Sequence, residues 1–238
     1  MQHRTIKGSI LYTSKKPERM DAERGRESFI INVHQDGNRT LMAHCEIDDA
    51  PSVMRDVCLS LDKDFYPLDC FVRLSIADKF EGTGWMRFTD HYAETEMFNA
   101  RDGRVSQRLN INERPRWLGA HPLVADGMCF RIFDQSKGPG RVFYPNMMLT
   151  SPDHRGATGP LLFQLGFGIE YLGDEKITVP AGTFDTHHFC YVDTGAGGLP
   201  EEHPPYEVWC TADQDCILVK GSVGGYMQTH YELIELER

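Results

Sequence analysis

The chain has 238 residues, 40% hydrophobic and 25% charged, a composition that excludes wholesale disorder and suffices for one large core. Lys and Arg number 25 against 35 Asp and Glu, and the net charge of −10 argues against a nucleic-acid partner, which needs a basic stripe. No apolar run of membrane-spanning length is present and the stretch from Met1 to Tyr12 is too polar for a secretory signal, so the expected location is the cytoplasm, with the seven cysteines reduced.

Residues 1–26 hold basic side chains such as Arg4, Lys7, Lys15 and Arg24 diluted by Glu18, Asp21 and Glu23, and read as an N-terminal strand and surface segment ahead of one domain over 27–238. Alternating runs then predict strands over 29–33, 40–47, 54–61, 71–76, 84–88, 91–99 and 104–112. Gln35-Asp36-Gly37-Asn38 and Arg101-Asp102-Gly103 supply two of the turns. In 41–47 the set Leu41, Ala43, Cys45 and Ile47 shares one face, with Met42, His44 and Glu46 on the other.

Residues 114–122 break this period. A short helix is predicted over 121–133, with Leu123, Val124, Met128 and Ile132 on its apolar side and Pro122 in its first turn. The stretch 135–160, with Gly138-Pro139-Gly140 and Ser151-Pro152-Asp153, reads as a loop-rich lid or binding segment. Strands return over 162–172, 176–180, 184–193, 206–211, 217–221 and 226–235, interrupted by a Gly- and Pro-rich loop over 195–205. Val179-Pro180-Ala181-Gly182-Thr183-Phe184 spells a hairpin turn, since proline fixes φ and Gly182 tolerates φ > 0. The fold class is therefore all-β with minor α: a single large antiparallel β-barrel or half-barrel of about 10–13 strands with one short helix.

The run from Pro180 to Phe184, followed by Trp209, Asp213, Asp215 and Leu218-Val219, resembles the bacterial domain of unknown function 3108 and related lipoprotein-carrier-like barrels. The resemblance covers the C-terminal third. It implies an antiparallel half-barrel wrapped about a helix, and a lipid-binding role as one expectation.

Familiar catalytic and cofactor motifs are missing: no Gly-x-Ser-x-Gly elbow, P-loop, dinucleotide fingerprint, Cys-x-x-Cys or His-Glu-x-x-His occurs. His187 and His188 are adjacent on a strand and so point to opposite faces, which does not make a metal site; no metal and no cofactor is expected. The leading constellation is His121 with Asp126, near Arg131, because histidine beside a carboxylate is a common acid–base pair. The plain alternative is a capping or core histidine with a structural Asp. His188, Arg73 and Arg108 join His121 and Asp126 as candidate catalytic groups, the arginines for developing anionic charge. His44, Glu96, Tyr206, Trp209, Tyr226 and His230 are candidate substrate contacts, drawn from strands that mix polar and aromatic residues. For any one of these the ordinary alternative is a solvated outer face with ion pairs such as Glu96 with Arg108.

These features suggest a cofactor-independent enzyme of lyase, isomerase or hydratase type, acting on a hydrophobic, aromatic small molecule in a barrel cavity. The alternative is a non-catalytic carrier or sensor of a lipid-like ligand. A hydrophobic or aromatic small molecule is the expected partner, without nucleic acid or membrane, and a homodimer is left open.

Overall fold

Strand after strand pairs with the one before it, and the computed structural model, which describes residues 3–199 and 201–238, assembles all of them into one sheet of 15 strands. The first half is a plain meander: β1 (Arg4–Ser14), β2 (Glu23–Val33), β3 (Arg39–Ile47), β4 (Val53–Leu61), β5 (Pro67–Ile76), β6 (Lys79–Phe88), β7 (Tyr92–Asn99) and β8 (Gly103–Asn110). A short strand β9 (Trp117–Gly119) leads to helix α1 (Leu123–Cys129), continued by a 3-10 turn over Phe130–Ile132. The second half follows as β10 (Gly140–Leu149), β11 (Phe163–Val179), β12 (Gly182–Val192), β13 (Tyr206–Thr211), β14 (Leu218–Val223) and β15 (Thr229–Glu237).

β15 returns to pair antiparallel with β1, so the two halves join in the middle of the sheet. Every neighbouring pair is antiparallel except β9 with β10. The sheet is not closed, because β8 and β9 stand at its two ends. The segment before β11 bridges that seam: the Gln107 amide of β8 donates to the Leu162 carbonyl at 2.8 Å and accepts from the Leu162 N–H at 3.0 Å. Pro160 packs on β6 where Gly84 leaves room; a Cβ there would lie 2.9 Å from the proline Cγ.

The alternating pattern works as expected. On β3, Leu41, Ala43 and Cys45 are buried, whereas Met42 is exposed. The hairpin at Pro180-Ala181 pairs Val179 with Gly182, whose φ is +139°. Three expectations are corrected. The stretch 135–160 is not all loop, since it contains β10, whose first residues are solvent-facing and whose Pro145 coincides with a shift of register that masks the period. Pro122 does not sit inside the helix but at its N-cap, in extended conformation. The count of strands also exceeds the expected range.

Helix α1 lies inside the curved sheet against β9, β13 and β14, with Leu123, Val124, Ala125, Gly127, Met128 and Cys129 buried. A helix apolar nearly all round must be covered nearly all round. Gly127 permits the approach to β14: a Cβ would meet the Leu218 nitrogen at 2.7 Å. Phe130 continues the core by stacking on Phe189 of β12 at 4.3 Å.

Because the helix begins inside the protein, its first N–H groups need an acceptor that water cannot supply. Glu27 of β2, 1% exposed, provides it: Leu123 donates to Oε2 at 2.6 Å and Val124 to Oε1 at 3.0 Å. The Tyr12 hydroxyl donates to the same carboxylate at 3.1 Å. Asp213 and Asp215 have structural roles. Asp213 accepts from Thr211 and from the Asp215 N–H, while Asp215 takes a two-pronged bond from Arg4, both at 2.7 Å, that ties β1 to the β13–β14 turn.

Glu27→Ala leaves two helix N–H groups buried without an acceptor and is expected to cost about 2–5 kcal/mol, read as a fall in the urea midpoint. Glu27→Gln keeps one acceptor and should lose clearly less.

Candidate functional site

The curved sheet and α1 leave a cavity of about 430 Å³ between the helix and β9–β15. Its apolar wall comes from Trp117 of β9, Leu149 of β10, Leu165 and Phe167 of β11, Tyr191 of β12, Val223 of β14 and Tyr231 of β15. Strand alternation places these on the inward face. Phe167 meets Tyr191 edge-on at 5.3 Å, and Tyr191 stacks on Tyr206 at 5.5 Å, so the aromatics form one connected surface.

The polar floor is built by the helix and the turn before it. Asp126 is the helix residue that is not fully buried, and it faces the cavity with one carboxylate oxygen accepting from the Tyr206 hydroxyl at 3.1 Å. Burial pushes its pKa up from 3.8 to about 8, against the opposing pull of the Tyr206 bond. His121 stands just before the helix with φ +72°, a left-handed conformation uncommon for a residue with a Cβ. Its Nε2–H donates to the Ser151 carbonyl at 3.2 Å, and burial, with nearby Arg55 second, lowers its pKa from 6.5 to about 3. The imidazole is therefore neutral and the carboxyl protonated at neutral pH, a reversal of their usual order.

Loops complete the mouth. The segment between β10 and β11 brings Asp153, His154 and Thr158, and the loop before β13 brings Leu199, Glu201, Glu202 and His203. His154 and His203 meet edge-on at 6.0 Å, and burial lowers the pKa of both. The Tyr226 hydroxyl lies 3.3 Å from the His154 ring at the rim.

Of the residues singled out from the sequence, His121, Asp126 and Tyr206 come together on this cavity and Tyr226 touches its rim. His121 and Asp126 share the cavity without bonding to each other, since their hydrogen bonds go to Ser151 and Tyr206. The others are placed elsewhere. His188 stacks on Trp209 at 4.0 Å and bonds Glu175 of β11 and Glu207 of β13, on the face of the sheet opposite the cavity. Lys220 covers the same indole. Arg73 is exposed over Phe80, and Arg108 lies over Tyr92 beside Glu94. Glu96 pairs with Arg104 rather than Arg108, His44 with Asp56 and Glu46, and Arg131 is exposed. His230 lies beside Lys15 and Lys220, outside the cavity. Among the described residues no three His, Cys, Asp or Glu side chains are grouped to hold a metal ion.

Sequence reasoning missed Glu27, Arg55, His154 and His203. The first two had a readable signal: Glu27 is in phase with buried Phe29 and Ile31, and Arg55 with Val53, Val57 and Leu59, so each is a charge on an apolar face. The two histidines sit on loops, where no period assigns a face.

One solved structure shares this architecture. A β-barrel-like protein of domain of unknown function DUF1849 from Brucella abortus is similar with a TM-score of 0.56 at 10% identity, covering 98% of this chain and 97% of that one. A Bacteroides fragilis protein with a YmcC-like fold gives 0.33 at 9% identity, covering 100% and 97%. No family model matches the chain, that of domain of unknown function 3108 included, and no curated protein matches it. The first likeness establishes a fold shared with bacterial β-barrel-like proteins and assigns no activity.

The folded Asp126 carboxyl keeps its proton to about pH 8, whereas the unfolded one releases it near 3.8. Its contribution to stability is thus complete below 3.8 and is lost as pH rises to about 8. Asp126→Asn removes that slope, so its urea midpoint relative to wild type should rise between about pH 5 and about pH 8. A constant difference between the two curves would contradict the raised pKa.

Proposed function

We propose that the chain binds a hydrophobic, aromatic small molecule in this cavity and performs cofactor-independent acid–base chemistry on it, of lyase, isomerase or hydratase type. The observation that carries the reading is the Asp126 carboxyl, aimed into an aromatic cavity with its pKa at about 8. A group that gains and loses its proton near neutral pH is matched to proton transfer in both directions. Tyr206 fixes one carboxylate oxygen and leaves the other for the bound molecule. Neutral His121 adds a hydrogen-bonding group on the same floor without adding charge. Trp117, Phe167, Tyr191 and Tyr231 supply flat apolar surface that excludes water from the proton donor.

A carrier is the second reading, favoured by the apolar part of the wall from Leu149, Leu165, Phe167 and Val223. The two differ in what they require of Asp126. An enzyme needs Asp126 to take up and return a proton, and a carrier does not.

The probe 5-nitrobenzisoxazole separates them. A base removes its ring C–H proton, the N–O bond breaks, and the electron pair ends on the cyanophenolate oxygen, which absorbs visible light. Saturable phenolate release is expected, rising with pH as Asp126 ionises and falling at least about tenfold in Asp126→Asn. Non-saturable release, or an Asp126→Asn rate equal to wild type, overturns the enzymatic reading. Saturable binding of the probe without turnover favours the carrier.

A further inference from the structure

A small chamber of about 60 Å³ adjoins the main cavity, and its wall contains three arginines, Arg24, Arg55 and Arg155. His121, Leu123, His154, Met227 and Tyr231 line both spaces, so the chamber and the cavity share one wall. Two of the arginines are accounted for. Arg24 is paired with Asp49, and Arg155 lies 4.0 Å from Asp153.

Arg55 is not. It is 3% exposed, and its Nη2 donates to the backbone carbonyls of Arg155 and Gly156, yet among the described residues no carboxylate forms an ion pair with it. A guanidinium cannot shed its proton to escape burial, so a buried one calls for an anion. Of the buried acids, Glu27 is already held by Leu123, Val124, Tyr12 and Cys45, and Asp126, which feels the Arg55 charge, bonds to Tyr206 and forms no ion pair with Arg55. Space, position and unmatched charge coincide at one point.

We propose that this chamber is an anion subsite, and that the molecule bound in the main cavity carries a carboxylate head which enters it and pairs with Arg55. The inference rests on the reading of the cavity as a hydrophobic binding site. With Nη2 given to the two carbonyls, Arg55 keeps its Nε and Nη1 donors for a carboxylate. Asp153, Glu201 and Glu202 at the mouth oppose an anion, but Glu201 and Glu202 are exposed and screened over about 8 Å at physiological salt, whereas Arg55 is buried and acts at contact. Contact prevails.

Calorimetric titration of the full chain with 4-phenylbutanoate, 4-phenylbutan-1-ol and 4-phenylbutylamine holds the apolar body constant and varies the head. The carboxylate should bind at least about tenfold tighter than the alcohol, with the amine weakest. In Arg55→Met the ratio of carboxylate to alcohol affinity should collapse toward one, and in Arg55→Lys, which keeps the charge but not the fixed planar donors, it should fall part of the way. Alcohol binding without carboxylate preference in the wild type overturns the anion subsite and leaves the cavity reading standing. Failure of all three ligands to bind overturns both. A carboxylate preference undiminished in Arg55→Met, or in Arg55→Lys should the first variant not fold, also overturns the assignment to Arg55.

Discussion

One buried carboxylate holds this protein's interior in place. Glu27 projects from β2 into the apolar space under the sheet and receives the first two N–H groups of α1, so the helix is fastened to the sheet at its most demanding point. Burial raises the Glu27 pKa above the usual carboxylate value, and the donors from Val124, Leu123, Cys45 and Tyr12 oppose that rise. Everything on the cavity floor inherits its position from that contact. His121 lies two residues before the fastened turn, Asp126 follows in the same short helix, and Tyr206 reaches across from β13 to meet it.

A cavity with its acid and its histidine in reversed protonation order follows from the same geometry. Both groups are removed from water by one helix and one set of strands, and in each case desolvation favours the neutral form. Arg55 reinforces the effect on His121 and works against it on Asp126, yet desolvation dominates at both. Polar chemistry is thereby kept at one end of an aromatic chamber, without a net charge on either group.

Much of the fold was legible because most strands bury one face and wet the other. Leu41, Ala43 and Cys45 against Met42, His44 and Glu46 announce β3, and β2 through β8 follow in the same way. The helix was visible where that period failed. β10 was hidden because its first residues are all exposed and Pro145 interrupts it. Pairing of β1 with β15 joins residues at opposite ends of the chain, which no local pattern encodes. For the site, period 2 divides a strand into two faces but does not say which is inward for polar residues: Tyr206 turned in, and its neighbours in mixed strands, Trp209 and His188, turned out. His121 and Asp126 were found together because they belong to one short helical segment. The hairpin that carries the family resemblance, from Pro180 to Phe184, lies away from the cavity and specifies only a turn.

The union of β1 with β15 has a consequence for how the chain reaches its native state. β1 is made first, yet one of its two flanks stays an open row of N–H and C=O groups until residues 229–237 arrive. The meander from β1 to β8 can zip locally as it emerges, but completion waits on the longest loop closure in the molecule. During synthesis the protein therefore carries a sticky seam through what will become its centre, and its last strand acts as the clasp that removes it.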